Sequence, residues 1–212
     1  MRRCLFFASF VAAAIASASL FAAGPSKIPR GFIQVPSASL SGDRFVVDLK
    51  YDTDDNFLGR NVYAAHGVHA CYVHPIMAER LTRLAPVLEE RGLKLVLWDC
   101  WRPRAVQEEM WKIMPDPRYV ADPKKGSNHN RGLAIDASLA DAEGRALPMP
   151  TEFDDFTARA APSAQCGKAE RALCANRDLQ VNLMREAGLE ALPTEWWHYQ
   201  PSGVAVEKYP VK

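Results

Sequence analysis

The chain has 212 residues, of which 48% are apolar and 24% are charged, and its formal net charge at pH 7 is +1. This length and composition suit one well-buried domain and are too small for two. A charge so close to zero excludes the basic surface that a nucleic acid or an anionic membrane would require. We therefore expect a single domain that binds neither.

Residues 1–23 have the layout of a secretory signal peptide. Two arginines near the start precede an apolar run over 5–16, and small residues follow it. This pattern is typical of a leader that is removed during export. The run is shorter than the roughly 20 residues that span a bilayer, so an uncleaved anchor is the weaker alternative. We predict a mature domain over 24–212 with no membrane span, exported, with the periplasm as the expected compartment.

In chain order, the apolar periodicity of the mature part alternates between strand and helix spacing. The predicted elements are a strand over 45–51, an amphipathic helix over 75–91, a buried strand over 93–100, a helix over 104–114, a strand over 133–138, a helix from an N-cap at Asn176 to Gly188, and a strand over 195–200. This order predicts an α+β domain in which a mixed or antiparallel sheet is flanked by helices.

Export would leave four cysteines in an oxidising compartment, which suggests two disulfides with three possible connectivities. The helix and strand predicted between Cys71 and Cys100 have similar lengths, about 25 Å and about 26 Å at standard rises. If they pack antiparallel, the two cysteines emerge at the same end. We therefore favour Cys71 with Cys100 and, by proximity in the sequence, Cys166 with Cys174.

The stretch from Ser127 to Asp136 contains half of a predicted metal site. It places His129 and Asp136 seven residues apart around a glycine, and Glu195 and His198 lie near the C-terminus. Two imidazoles and one aspartate leave a fourth tetrahedral position open, which is typical of a catalytic zinc. A water on such a zinc has a pKa of roughly 7, and a nearby carboxylate can accept its proton. We therefore predict metal-assisted hydrolysis with Glu195 as the general base.

The position of Glu195 conflicts with a regular strand. Alternation along a strand would place Glu195 and His198 on opposite faces. Pro193 and two adjacent tryptophans favour a strand over a helix in this segment. We therefore expect Glu195 to lie at a bend before the strand, where alternation does not hold.

A second metal site is the alternative raised by three further histidines. His66, His69 and His74 fall within nine residues. No carboxylate or thiolate follows at a matching spacing, so the pattern is weak. We expect one metal ion.

Five ordered segments resemble the D-alanyl-D-alanine dipeptidases, the zinc peptidases of vancomycin-resistance clusters and their bacterial relatives. The segments are 50–59, 97–103, 127–136, Phe153-Asp154 and 195–199, and together they extend over nearly the whole mature chain. The resemblance implies the fold that metallo-DD-peptidases share with the hedgehog signalling domain. It also implies one zinc ion and hydrolysis of D-alanyl-D-alanine or a similar small D,D-dipeptide.

The resemblance implies roles for individual residues. The positions that match zinc ligands are His129, Asp136 and His198. Glu195 matches the catalytic base, and Arg102 matches an arginine that stabilises the tetrahedral oxyanion, a task suited to a fixed cation in a dry site. The positions that match residues holding the ends of the dipeptide are Tyr51, Ser127 and Asp154, of which Asp154 is the expected partner of a free ammonium.

The chain departs from the family pattern at two places. Cys100-Trp101 stands where relatives often have Gly-Tyr, and Met149-Pro150 stands where Met-Gly is usual. The first change fits an added disulfide in an exported enzyme. Both changes leave the side-chain preference of the pocket open.

Two competing functions stay open. A zinc D,D-carboxypeptidase or L,D-endopeptidase acting on longer peptidoglycan peptides would have an open groove where a dipeptidase has a closed pocket ended by Asp154. A zinc-containing binding domain without activity is disfavoured because Glu195 and Arg102 are both present. The sequence makes no prediction of the oligomeric state or of the source of the dipeptide.

Overall fold

The structure is a computed structural model that describes residues 28–37, residue 40 and residues 43–212. The predicted leader over 1–23 lies outside the described residues. Within the described part of the chain, no helix combines the length and apolar character needed to cross a membrane.

Two sheets contain all the strands of the described residues. The strands are β1 (Ile33–Val35), β2 (Phe45–Val47), β3 (Cys71–Val73), β4 (Lys94–Asp99), β5 (Ile135–Ala140), β6 (Leu189–Leu192) and β7 (Glu195–Pro201). The larger sheet has the order β2-β4-β5-β7-β6, and β1 pairs with β3 in the smaller one. Only the β2–β4 pair is parallel, so the larger sheet is mixed.

Three helices flank the larger sheet: α1 (Pro75–Glu90), α2 (Arg104–Ile113) and α3 (Arg171–Glu186). The predicted amphipathic face of α1 is buried, with Leu81 and Leu88 fully covered in the main core. Burial of each such leucine contributes roughly 1.5–3 kcal/mol, which decides the side on which α1 packs. The α+β fold class expected from the sequence is confirmed.

The central strands are buried on both faces. Along β4, Leu95 and Leu97 belong to the main core, whereas Val96 and Trp98 belong to a smaller cluster with Trp196. This alternation leaves Asp99 at the end of a strand that is otherwise apolar from Leu95 onward. Asp99 is therefore the polar residue at the end of β4.

Three predicted elements have the wrong limits, of which the strand over 133–138 is displaced by two residues to Ile135–Ala140. The strand expected over 45–51 ends at Val47, and Tyr51 lies in a 3-10 turn, because its carbonyl oxygen accepts hydrogen bonds from the loop that follows rather than from β4. The last helix begins at Arg171 instead of being capped by Asn176. The Asn176 side-chain amide donates 2.9 Å to the carbonyl of Pro148, so it contacts a loop and caps nothing.

The favoured disulfide pairing is confirmed. Cys71 is bonded to Cys100, with Cα atoms 5.3 Å apart, and Cys166 is bonded to Cys174. The first bond joins the start of β3 to the residue after β4, and the second joins a loop to α3.

Candidate metal centre and active site

Three neighbouring strands place acidic and imidazole side chains in one row. In the sheet register, Asp136 on β5 is the partner of His198 on β7 and of Asp99 on β4. Cross-strand partners lie side by side with Cβ atoms roughly 4.5–5.5 Å apart. The sheet therefore brings together Asp136 and His198, which are 62 positions apart in the chain.

His129 reaches this row from a 3-10 turn that ends at Gly132. Gly132 has φ +64°, and a Cβ there would overlap the ring of Phe32 and lie 2.9 Å from the backbone nitrogen of His74. Both the backbone conformation and the close approach therefore require glycine. The Nδ1 atom of His129 lies 2.9 Å from the carbonyl oxygen of Cys100. A hydrogen bond donated by Nδ1 leaves the Nε2 lone pair facing the row.

The three predicted metal ligands form a compact triangle. The Nε2 atom of His129 is 3.1 Å from Nδ1 of His198 and 3.4 Å from Oδ1 of Asp136, and the last two atoms are 3.2 Å apart. A tetrahedral zinc with bonds of roughly 2.0–2.1 Å holds its ligand atoms about 3.3 Å apart. The triangle therefore fits one such ion, and the described residues contain no other group of three possible ligands as close together.

Burial and charge set the protonation of these residues. Burial opposes ionisation of Asp136, but His129 and His198 outweigh it and hold the pKa of Asp136 far below its usual value. Burial lowers the pKa of His198, so its imidazole is neutral at pH 7. Burial also acts to lower the pKa of His129, but Asp136 and Asp99 outweigh it and raise that pKa. An ionised aspartate and a neutral imidazole are the forms that bind a metal.

Glu195 is the first residue of β7 and lies beside the triangle in the same cavity. The pairing of β6 with β7 shifts here, because Ala191 is the partner of Tyr199 whereas Leu192 is the partner of Glu195. This irregularity interrupts the alternation and allows Glu195 and His198 to line the same cavity. The sequence predicts a bend before the strand, whereas Glu195 is itself the first residue of β7 and the irregularity lies in the pairing of β6 with β7.

The carboxylate of Glu195 is buried and incompletely paired. Its Oε1 atom has no hydrogen-bond partner among the described residues. Burial, together with the charges of Asp136 and Asp154, raises the pKa of Glu195 well above its usual value. Since nearly all buried polar atoms in proteins have a partner, this oxygen is placed for a group that comes from outside the chain.

Arg102 follows β4 and is fixed on several sides. Its Nε donates 2.9 Å to Asp99, and its Nη1 donates 2.8 Å to the side chain of Gln107. Its Nη2 lies 3.7 Å from Oδ2 of Asp136. The guanidinium therefore stands beside a proposed metal ligand in a fixed orientation, and it lines the cavity.

Tyr51 and Asp154 lie together at the other end of the cavity. The Tyr51 hydroxyl donates to Asp154 at 3.1 Å, and the backbone nitrogen of Phe57 donates to Asp154 at 3.2 Å. Burial raises the pKa of Asp154 to about 7. Asp154 has φ +60°, the only positive value at a non-glycine residue in the described chain, and such strain is common at functional sites. The Tyr51 ring lies 5.1 Å from the Arg102 guanidinium, which connects this end to the metal end.

Ser127 lines the cavity next to His129. Its hydroxyl oxygen accepts a hydrogen bond from the backbone nitrogen of His129 at 3.2 Å. Its carbonyl oxygen accepts from the guanidinium of Arg131 at 2.8 Å. Ser127 therefore also holds the turn that carries His129.

The cavity has a volume of about 360 Å³ and is lined by all eight residues that the sequence predicts for the site. A row of aromatic rings bounds it beside Asp154. Phe57 packs against Phe156 with ring centres 5.1 Å apart, and Phe156 packs against Tyr119 at 5.3 Å. Trp197 forms another part of the wall, and both Trp196 and Trp197 are buried in the smaller core cluster.

Sequence reasoning missed Asp99, Tyr63 and Gln107, which surround Arg102. Asp99 is fully buried and accepts hydrogen bonds from Arg102, from the Tyr63 hydroxyl and from the backbone nitrogen of Cys100. A carboxylate that ends a buried apolar strand was the available signal for Asp99. Gln107 also donates 2.8 Å to the carbonyl of Ala121, and its helical position carries no signal of this role.

The three histidines of the alternative site have other contacts or lie apart. The Nδ1 atom of His74 accepts a hydrogen bond from the backbone nitrogen of Ile76 and caps α1. His69 lies 2.9 Å from the carboxylate of Asp52 on the surface. In the part of the chain that the structure describes, these histidines form no three-ligand group.

Three clustered ligand atoms, a buried glutamate with a free oxygen and a fixed arginine define the class of metal-dependent hydrolases. A family model described as D-ala-D-ala dipeptidase, of the peptidase M15 group, matches residues 37–211. The chain therefore belongs to the D-Ala-D-Ala dipeptidase family, as its sequence segments predict. This family membership also confirms the prediction that the chain is a metallopeptidase.

Curated relatives agree with the family. The chain is 34% identical over 154 residues to the D-alanyl-D-alanine dipeptidase of Escherichia coli (strain K12), an alignment that covers 73% of this chain and 77% of that protein. It is 32% identical over 193 residues to the D-alanyl-D-alanine dipeptidase of Enterococcus faecium, covering 78% and 92%. A crystal structure of a mutant vancomycin resistance D,D-pentapeptidase VanY in complex with Zn(II) matches with a TM-score of 0.41 and 15% identity, over 66% of this chain and 79% of that one.

Proposed function

We propose that this protein is a zinc-dependent dipeptidase that hydrolyses D-alanyl-D-alanine or a similar small D,D-dipeptide. The observation that carries the proposal is the buried, unpaired Oε1 of Glu195 in the cavity where His129, Asp136 and His198 form their triangle. A water that attacks a peptide carbonyl at this place would have a proton acceptor within the same cavity. Membership of the family supports the choice of a D,D-dipeptide.

The mechanism assigns a task to each residue. When bound by the triangle, zinc supplies a Lewis acid and lowers the pKa of a water to roughly 7. Glu195 accepts the proton of the attacking water and then donates it to the departing amine. Burial raises the pKa of Glu195 well above its usual value, and the positive charge of a metal held by the triangle would favour the ionised form that a base requires. Arg102 provides a fixed cation for the developing oxyanion.

The opposite end of the cavity would bind the substrate's ammonium. Asp154 presents a carboxylate that Tyr51 and the Phe57 backbone hold in place. An ammonium beside this carboxylate would favour its ionised form, which burial alone disfavours. Since Tyr51 lies next to Arg102, an anchored dipeptide would have its peptide carbonyl near the reacting residues.

The second candidate function is cleavage of longer cell-wall peptides by the same residues. The aromatic row of Phe57, Phe156 and Tyr119 lines the cavity, and it favours the dipeptide because a peptide bound through Asp154 would have to pass these rings to carry an N-acyl extension. The deciding experiment compares kcat/KM for D-Ala-D-Ala with that for an N-acylated pentapeptide ending in D-Ala-D-Ala. We expect turnover of the free dipeptide only. Faster cleavage of the pentapeptide would replace the dipeptidase proposal by the carboxypeptidase.

Replacement of Glu195 tests the assigned base. In Glu195→Ala we expect zinc to stay bound and kcat to fall by about 10²–10⁴, the usual contribution of a general base. Zinc content is measured by metal analysis of the purified protein, and turnover by release of D-alanine. The matched control is Glu186→Ala, since Glu186 is an exposed glutamate at the end of α3. A rate equal to that of the wild type would refute the assignment.

We also propose that the protein is exported, because residues 1–23 have the layout of a secretory leader. The two disulfides support it, because such bonds persist in oxidising compartments. We expect the full chain, produced in a Gram-negative host with a C-terminal tag, to be found in the periplasmic fraction without its leader. N-terminal sequencing of the recovered protein identifies the cleavage point, and a cytoplasmic protein that retains residues 1–23 would contradict export.

A further inference from the structure

The peptide groups around Cys100 hold two residues of the active site. The Cys100 carbonyl oxygen accepts the hydrogen bond from Nδ1 of His129 at 2.9 Å. The Cys100 backbone nitrogen donates to Asp99 at 2.7 Å, and Asp99 in turn holds the Arg102 guanidinium. A shift of the Cys100 backbone would therefore disturb both a metal ligand and the proposed oxyanion cation.

The sheet does not hold Cys100 in place. β4 ends at Asp99, and the β4–β5 register shifts between Leu97 and Asp99, so Cys100 lies beyond the regular ladder. A backbone outside a ladder lacks the paired hydrogen bonds that fix residues within it. The hydrogen bond of 3.2 Å from the Arg102 backbone nitrogen to the His129 carbonyl is one restraint on this part of the chain, and a second one acts on Cys100 itself.

The disulfide supplies that restraint from the smaller sheet. Cys71 is fully buried in β3, where it pairs with Val35 of β1. Beside the Cys71–Cys100 bond, the backbone nitrogen of Trp101 donates 2.9 Å to the carbonyl of Tyr72. β3 therefore holds the chain after β4 through one covalent bond and one hydrogen bond.

The second disulfide has no such connection. Cys166 lies in a loop and Cys174 in the first turn of α3. Within residues 28–37, 40 and 43–212, no hydrogen bond joins either cysteine to a residue of the metal triangle. The chain thus contains two disulfides, of which only the Cys71–Cys100 bond is connected to the active site.

We propose that the Cys71–Cys100 disulfide is a positioning element of the metal centre: it fixes the Cys100 peptide, which sets the tautomer and orientation of His129 for metal binding. The inference rests on the proposed metal site. Groups that orient a metal-bound histidine commonly change metal affinity by about 10–100-fold when they are removed. Without the disulfide, the Cys100 carbonyl is still present but can move. We therefore expect the change in zinc affinity to lie at the lower end of that range.

The test compares the double variants Cys71→Ala/Cys100→Ala and Cys166→Ala/Cys174→Ala in the mature chain. Zinc dissociation constants are measured by chelator competition, well below the thermal midpoint of either variant. We expect the first variant to bind zinc about tenfold more weakly than the wild type and the second to stay within about twofold. Both variants should have a lower Tm without metal, because each loses one crosslink.

Equal zinc affinity in the two variants, each with a lowered Tm, would show that the first disulfide only stabilises the fold and would overturn the proposal. If the first variant does not fold, the Cys166→Ala/Cys174→Ala protein is reduced with a phosphine and desalted without oxygen, so that only Cys71–Cys100 opens. A weaker zinc affinity after reduction then supports the proposal, and an unchanged affinity overturns it. Wild-type protein that binds no zinc would instead contradict the proposed function.

Discussion

The two ends of the cavity are built in different ways. At the metal end, Asp136 and His198 are partners on adjacent strands, and their positions follow from the sheet ladder. At the ammonium end, Tyr51 lies in a 3-10 turn and Asp154 lies in a loop. A hydrogen bond from the Tyr51 hydroxyl to the Asp154 carboxylate joins them. Positions fixed by a strand ladder suit the chemistry, which tolerates little displacement, whereas positions on loops suit selection among substrates.

The largest expected effect comes from breaking the metal end. In His198→Ala we expect zinc to be lost and kcat/KM to fall by at least about a thousandfold, because metal catalysis contributes several kcal/mol and each 1.4 kcal/mol is a factor of ten. Metal analysis and D-alanine release measure the two effects. The control is His69→Ala, which removes an exposed histidine. Retention of zinc with full activity in His198→Ala would exclude His198 as a ligand.

The next effect concerns Arg102, which lies between the two ends. Arg102→Lys keeps the charge but loses the fork that contacts Asp99 and Gln107. We expect kcat to fall by about 10²–10³ with little change in KM, because an oxyanion donor acts mainly in the transition state. Steady-state kinetics decides this, with the exposed Arg104→Lys as the control. A change confined to KM would assign Arg102 to substrate binding instead.

Asp154→Asn tests the ammonium end. Asparagine tolerates a positive φ, so the change removes the charge without adding backbone strain. We expect kcat/KM for D-Ala-D-Ala to fall by about 30-fold or more, mostly through KM, since losing one partner of a buried charge pair costs about 2–5 kcal/mol. Asp155→Asn is the neighbouring control. If the variant bound the dipeptide as tightly as the wild type, the ammonium anchor would lie elsewhere.

The smallest expected effect is a pH dependence of stability at the same residue. The folded protein raises the pKa of Asp154 to about 7, above that of an unfolded aspartate. The stabilising contribution of its protonated form is therefore complete below the unfolded value and is lost as pH rises through about 7. In metal-free protein, the Tm of Asp154→Asn minus the Tm of the wild type should increase from pH 5 to pH 8. The increase should be about 2–4 °C for each kcal/mol of stability that the wild type loses. Scanning calorimetry at the two pH values measures this, and an equal difference at both would contradict the raised pKa.

The features that were predicted correctly depend on patterns within short segments of the sequence. The helix of α1 follows from its apolar spacing, with Pro75 in the first turn. The disulfide pairing follows from comparing the lengths of a helix and a strand. The wrong limits at Tyr51 and Asn176 arise where loop groups compete with the regular element for hydrogen bonds: loop amides donate to the Tyr51 carbonyl, and the loop carbonyl of Pro148 accepts from the Asn176 side chain. Such competition depends on segments distant in the chain, which periodicity does not contain.

The amino-acid sequence by itself determined which side chains could hold the metal, which carboxylate could act as a base and to which family the chain belongs, because these depend on residue type and order. Only the tertiary structure decided that Asp136 and His198 face each other, that Asp99 holds Arg102 and that Cys100 directs His129. Strand register and the path of the chain beyond each strand arise from packing the whole sheet, and they bring together His129 and His198, which are 69 positions apart, and Tyr51 and Asp154, which are 103 apart.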